Sequence, residues 1–294
     1  MAEFPLIIFS LCLNGAVGIM LFVAIAKLQN KDGSFKTAIV SAAVLAVVGL
    51  LASLLHLGRP LAALNSLLGV GHSWLSREIW FTGAVTALIV VSALLIIFKP
   101  AAKRVLGILI YLAAILGLAD VFVMASIYKF ASVPAWQNGL IYAEFYGAAL
   151  SLGAVLFLAT SKKEAADISK IAVFTAACAI VLQVAAMVIY LIELGTSNSL
   201  AAQQSFSLLG EMGTAVIVKL VFILGGAILL FYSVMNRLSV PRFSPAGIEI
   251  AASATGPGTL NSGLYSAAAL ITIGQIAGRL IFYGAMVVTT VGLS

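Results

Sequence analysis

TAIVSAAVLAVVGLLASLLHL, residues 37–57, holds one ionisable side chain, His56, and that one stands next to its end. A helix rises about 1.5 Å per residue, so about 20 apolar residues in succession cross the hydrocarbon of a bilayer. The same pattern recurs along the chain. Eight apolar segments reach that length: 4–28, 37–57, 78–98, 104–128, 139–160, 169–192, 214–235 and 264–290. They lack the period-two alternation of a membrane barrel, and their many Gly, Ala and Ser residues suit close packing of helices. The expected fold is all-α: a polytopic membrane protein of eight transmembrane helices forming one integral domain over residues 1–294.

Composition agrees. Of 294 residues, 63% are hydrophobic and 9% charged, with a mean hydropathy of +1.17. A soluble globule of this make-up would have more apolar surface than any core could bury, so the lipid bilayer is the expected surrounding. The formal net charge of +6 raises nucleic acid as a partner. No basic cluster is interleaved with aromatic residues, however, and loop topology accounts for the charge better, so nucleic acid is set aside. Cys12 and Cys178 lie far apart in apolar stretches without a C-x-x-C pair, which supports neither a disulfide framework nor a cysteine-bound metal. Ala24-Ile25-Ala26 resembles a signal-peptide cleavage site, but Glu3 and no Lys or Arg precede the apolar run, so a retained first helix is expected.

Basic residues set the orientation. One series of alternating loops carries Lys27, Lys31, Lys36, Lys99, Lys103, Arg104, Lys162, Lys163, Lys170, Arg237 and Arg242; the other carries Arg59, Arg77 and Lys129. The positive-inside rule puts the first series in the cytoplasm and both termini on the outer, periplasmic side. The last inner loop, about 236–263, is rich in Gly, Pro, Ser and Ala and reads as flexible.

With that orientation the rare charged groups share one end. Asp120 and Arg279 fall in the outer half of their helices, and Glu78, Glu144, Glu193 and Lys219 stand near outer ends. Burying charge in hydrocarbon is costly unless the groups pair or line a wet cavity. The stretch 53–81, SLLHLGRPLAALNSLLGVGHSWLSREIWF, caps the same half with both histidines, His56 and His72, and with Arg59 and Arg77. Structural roles compete at each position. His56 and Glu78 sit where a helix dipole favours their charge, Arg59 and Arg77 can snorkel to headgroups, and Lys219 and Arg279 can serve as counter-ions to Asp120 or Glu144.

Four motifs in order, HLGRPLAALNSL (56–67), SWLSREI (73–79), SVPAW (132–136) with Tyr128 just before it, and GQIAGRLIFYG (274–284), resemble the membrane anchor subunit of bacterial dimethyl sulfoxide reductase, the DmsC family. The resemblance implies a multi-pass subunit of the bacterial inner membrane. Such a subunit binds menaquinol, passes its electrons to a ferredoxin-like iron–sulfur subunit, and anchors that subunit together with a molybdopterin catalytic subunit. By motif, His56 and Glu78 are the quinol-binding residues. Gln275 stands where relatives can have Glu, which weakens a proton-handling role there. Arg59, Asn65, Arg77, Asp120, Tyr128, Glu144, Lys219 and Arg279 make up a candidate supporting pocket, with Asp120 and Glu144 placed by depth alone.

The chemistry suits His56 and Glu78. Oxidising a quinol removes two electrons and two protons, and neutral imidazole and carboxylate can accept a hydrogen bond and then the proton. A b-type haem needs two axial histidines at compatible depth, whereas His56 ends a helix and His72 lies in a loop, so no haem is expected. Iron–sulfur clusters and molybdopterin belong in the partner subunits. The terminal acceptor, dimethyl sulfoxide or a similar compound, is selected there too. Three alternatives stay open: a quinone-reducing anchor, a proton-coupled transporter, and a passive anchor without a quinol pocket. A transporter would favour inverted repeats, and none is legible between 1–150 and 151–294.

Overall fold

The computed structural model describes residues 4–31, 33–55, 69–161, 165, 168–239 and 257–287. Among the described residues are nine α-helices and no strand: α1 Phe4–Gln29, α2 Lys36–Leu55, α3 Trp74–Phe98, α4 Lys103–Lys129, α5 Leu140–Ser161, α6 Ser169–Thr196, α7 Leu200–Glu211, α8 Gly213–Ser239 and α9 Pro257–Gly284. All but α7 are long and apolar enough to cross a membrane, which gives the eight expected spans.

Several boundaries differ from the apolar pattern, for local reasons. The third span begins at Trp74 rather than 78, because Ser73 takes an extended backbone (φ −122°, ψ 126°) and its side chain accepts from the Ser76 N–H, an N-cap. The sixth runs on to Thr196 and the seventh to Ser239. The last span starts at Pro257, where a missing N–H costs nothing at the first helical position, and ends at Gly284 rather than 290. Residues 285–287 follow outside the helix. Both ends of the segment expected to be a flexible loop, 236–263, are therefore helical, and its middle, 240–256, lies outside the described residues. Helix α7, of 12 residues, has no counterpart among the expected elements.

Helix α1 is the most buried span and α8 the least. The first packs against α2, α4 and α5, and the α8–α9 hairpin lies on α5 and α6. Lipid is as apolar as the helices, so association depends on close backbone approach at small residues. Gly18 of α1 meets Gly153 of α5 in this way: a Cβ on Gly18 would overlap the Ala149 carbonyl oxygen, and one on Gly153 would overlap the Gly18 backbone. Cys12 and Cys178 are both free.

Spans that follow one another in the chain run in opposite directions: Thr82, early in α3, meets Asp120, late in α4. Lys27, Lys31, Lys36, Lys99, Lys103, Arg104 and Lys170 consequently gather at one end of the bundle. The other end holds the start of α3, the 3-10 turn Pro134–Trp136, α7 and the last turns of α9.

Candidate functional site

That second end is where the buried polar residues meet. Because α3 starts early, Glu78 sits beyond its first turn, where the dipole effect has faded, and the side chain is 9% exposed. A dipole-capping role for Glu78 loses its basis. Across from it, Asp120 of α4 is fully buried; its Oδ1 accepts from Thr82 Oγ1 at 3.0 Å, and its Oδ2 has no hydrogen-bond partner among the described residues. Glu78 lies within electrostatic reach of Asp120, Tyr128 and Tyr283. The hydroxyls of Tyr128 and Tyr283 are 2.8 Å apart and share a hydrogen bond.

An aromatic layer stands beside this group. Trp136 and Phe282 stack with centroids 5.0 Å apart and 13° between planes, and Tyr128 meets both rings edge-on at 5.2 and 5.1 Å. The Arg279 guanidinium lies 3.7 Å from the centroid of the Phe145 ring. Cation–π contact of this kind strengthens where water is excluded. Arg279 is buried, and its Nη2 has no hydrogen-bond partner among the described residues.

Beyond the layer, Lys219 Nζ of α8 pairs with Glu144 Oε1 of α5 at 2.6 Å. Gly278 of α9 leaves room for the lysine, since a Cβ there would stand 3.2 Å from Lys219 Cε. Gln183 Nε2 donates to Glu144 Oε2 at 3.2 Å, and Gln275 Nε2 donates to Gln183 Oε1 at 2.9 Å and to Ser151 Oγ at 3.0 Å. A mostly apolar cavity of about 560 Å³, counting its open mouth, borders the ion pair and is lined also by Trp136, Phe282 and Tyr190.

The family model for the DMSO reductase anchor subunit (DmsC) matches residues 1–255. The chain belongs to that family. It is similar to the C subunit of anaerobic dimethyl sulfoxide reductase from Haemophilus influenzae, with 32% identity over 148 residues, 49% of this protein and 53% of the relative. It is also similar to the YnfH subunit of anaerobic dimethyl sulfoxide reductase from Escherichia coli K12, with 32% identity over 164 residues, 52% of this protein and 56% of the relative. The C subunit of anaerobic dimethyl sulfoxide reductase from the same organism shows 31% identity over 142 residues, 46% of this protein and 50% of the relative. The DmsC-family protein described here spans about half the length of the curated relatives it matches.

The DmsC match ends before α9, yet α9 supplies Gln275, Arg279, Phe282 and Tyr283 to the polar end. Of the site residues expected from sequence, Glu78, Asp120, Tyr128, Glu144, Lys219 and Arg279 converge there. Arg77 does not join them: it donates to the carbonyls of Val70 and Gly71, each at 3.0 Å, and covers the Trp74 ring, fastening the turn before α3. His56, Arg59 and Asn65 lie outside the described residues. Thr82, Gln183, Tyr283 and Phe145 join the site without having been singled out by sequence. An amide amid the apolar residues of α6 was the available signal for Gln183, and Tyr283 stands inside the GQIAGRLIFYG motif. Among the described residues, no three His, Cys, Asp or Glu side chains are grouped so as to hold a metal ion.

Proposed function

We propose that this DmsC-family chain is the membrane anchor and menaquinol-oxidising subunit of a molybdopterin oxidoreductase complex in the bacterial inner membrane. Its partners are a ferredoxin-like iron–sulfur subunit and a molybdopterin catalytic subunit, and the chain itself carries no haem. The observation that carries the reading is the burial of Glu78 within electrostatic reach of the hydrogen-bonded Tyr128 and Tyr283 hydroxyls, at one end of a transmembrane bundle. A quinol hydroxyl needs an acceptor that can then take its proton, and a carboxylate is such a group. The tyrosine hydroxyls can hold the second ring oxygen, and by resemblance His56 is the second base. The partner's iron–sulfur subunit would take the quinol's two electrons one at a time, these bases would take its two protons, and the product would leave as quinone.

The gathering of lysines and arginines at the opposite end supports an outward-facing site under the positive-inside rule. Docking of the iron–sulfur subunit on the polar end follows, since electrons must leave near that surface. The test compares two activities of the assembled complex: reduction driven by menaquinol, and reduction driven by an artificial donor that feeds the soluble subunits directly. Glu78→Gln is expected to lower the first by about 10²-fold or more, the usual effect of losing a general base, and to spare the second. His56→Ala is expected to follow the same pattern. Equal activity in both assays for Glu78→Gln would return that residue to a structural role.

A further inference from the structure

The cavity beside Glu144 and Lys219 is separate from the Glu78 group. Trp136 and Phe282 form part of its wall. Tyr128 packs against those same two rings and hydrogen-bonds Tyr283, so the aromatic layer stands between the cavity and the hydroxyl pair near Glu78. Its walls are mostly apolar and a few polar groups converge on it, the usual make-up of small-molecule sites.

Three features select the ligand. Lys219 and Glu144, with side chains 4% and 23% exposed, neutralise each other, so a charged guest would bring an unpaired charge into an apolar space. One mutual bond leaves the ammonium with further donors and the carboxylate with further lone pairs, and Tyr190, within electrostatic reach of Glu144, adds a hydroxyl. The Trp136–Phe282 stack offers planar aromatic surface to which another flat ring can add. We propose that this cavity is a second quinone-ring site, distinct from Glu78. It takes an uncharged planar ring with hydroxyl or carbonyl groups, stacked on the aromatic layer and bonded through its oxygens to Lys219 and Glu144. The ligand class rests on the quinol reading above.

The protein has three tryptophans, so Trp74→Phe with Trp80→Phe leaves Trp136 as the sole indole reporter. Titrating this full-length protein in detergent with 2-methyl-1,4-naphthoquinone is expected to quench Trp136 fluorescence saturably. Ala186→Phe, which fills the cavity, is expected to weaken that binding by about tenfold or more, whereas Glu78→Gln is expected to leave it intact. If Ala186→Phe does not fold, Leu191→Phe at the same cavity decides. Quenching that is unsaturable, unchanged by the filling variant, or abolished by Glu78→Gln overturns the proposal. The two readings fail separately: normal menaquinol turnover in Glu78→Gln sinks the oxidation site and leaves the titration standing, while unchanged quenching in the filled cavity sinks the second site and leaves the turnover result standing.

Discussion

The indole N–H of Trp136 donates to the backbone carbonyl of Phe282 at 3.0 Å while the two rings stack, so the short turn between α4 and α5 is fastened to the last membrane span. The bond joins residues 146 positions apart. It closes the polar end over Tyr128 and Arg279, which contact the same aromatic group.

Separating the ring from its N–H tests that fastening. Trp136→Phe keeps a stacking partner and loses the donor, and is expected to cost about 1 kcal/mol. Trp136→Ala loses both and leaves a cavity, and is expected to cost about 3–5 kcal/mol. Thermal unfolding in detergent gives the order. Equal losses for the two variants would show that the stack contributes nothing.

The Gly18–Gly153 approach leads to a sharper contrast. Gly153→Leu has to push α5 away from α1, and is expected to abolish a monodisperse detergent-purified species. Gly83→Ala, in a helix where an added Cβ meets nothing within 4 Å, is expected to be neutral or slightly stabilising. Size-exclusion profiles of the two variants check this. A well-behaved Gly153→Leu protein would refute the close crossing.

Breaking the Glu144–Lys219 pair from one side should hurt more than removing it whole. Glu144→Gln strands a buried ammonium and is expected to cost about 3 kcal/mol, because the lone charge keeps its desolvation penalty without its partner. Glu144→Gln combined with Lys219→Met removes both charges and is expected to recover much of that loss. A double variant less stable than the single one in thermal unfolding would contradict this account.

Orientation is open to direct labelling. In a variant whose native cysteines are replaced, Ala101→Cys is expected to react only with reagents that reach the cytoplasm, and Gly71→Cys with those confined to the periplasm. The reverse pattern would move the polar end, and with it the proposed quinol site, to the inner face.

The number of spans was legible in the sequence, because bilayer thickness sets a length that apolar runs either reach or miss. Pairing of the rare charges was legible only as a shared depth. That Glu144 takes Lys219, that Arg279 covers Phe145 instead of bonding Asp120, and that Gln183 and Gln275 join across α6 and α9 depend on how each helix is rotated against its neighbours. Hydropathy along a membrane helix carries no sign of that rotation, because the side facing lipid and the side facing its neighbours are alike apolar. Helix α7 escaped notice since 12 residues fall short of a span and no depth argument applies to it. The start of α3 escaped because a capping hydroxyl, Ser73, outweighed the apolar pattern. An eight-span helical membrane protein with its buried charged residues toward one end follows from the sequence alone. The tertiary structure decided which of them touch, because side-chain pairing is a property of facing surfaces, and the facing surfaces are chosen by backbone approach at residues such as Gly18 and Gly153.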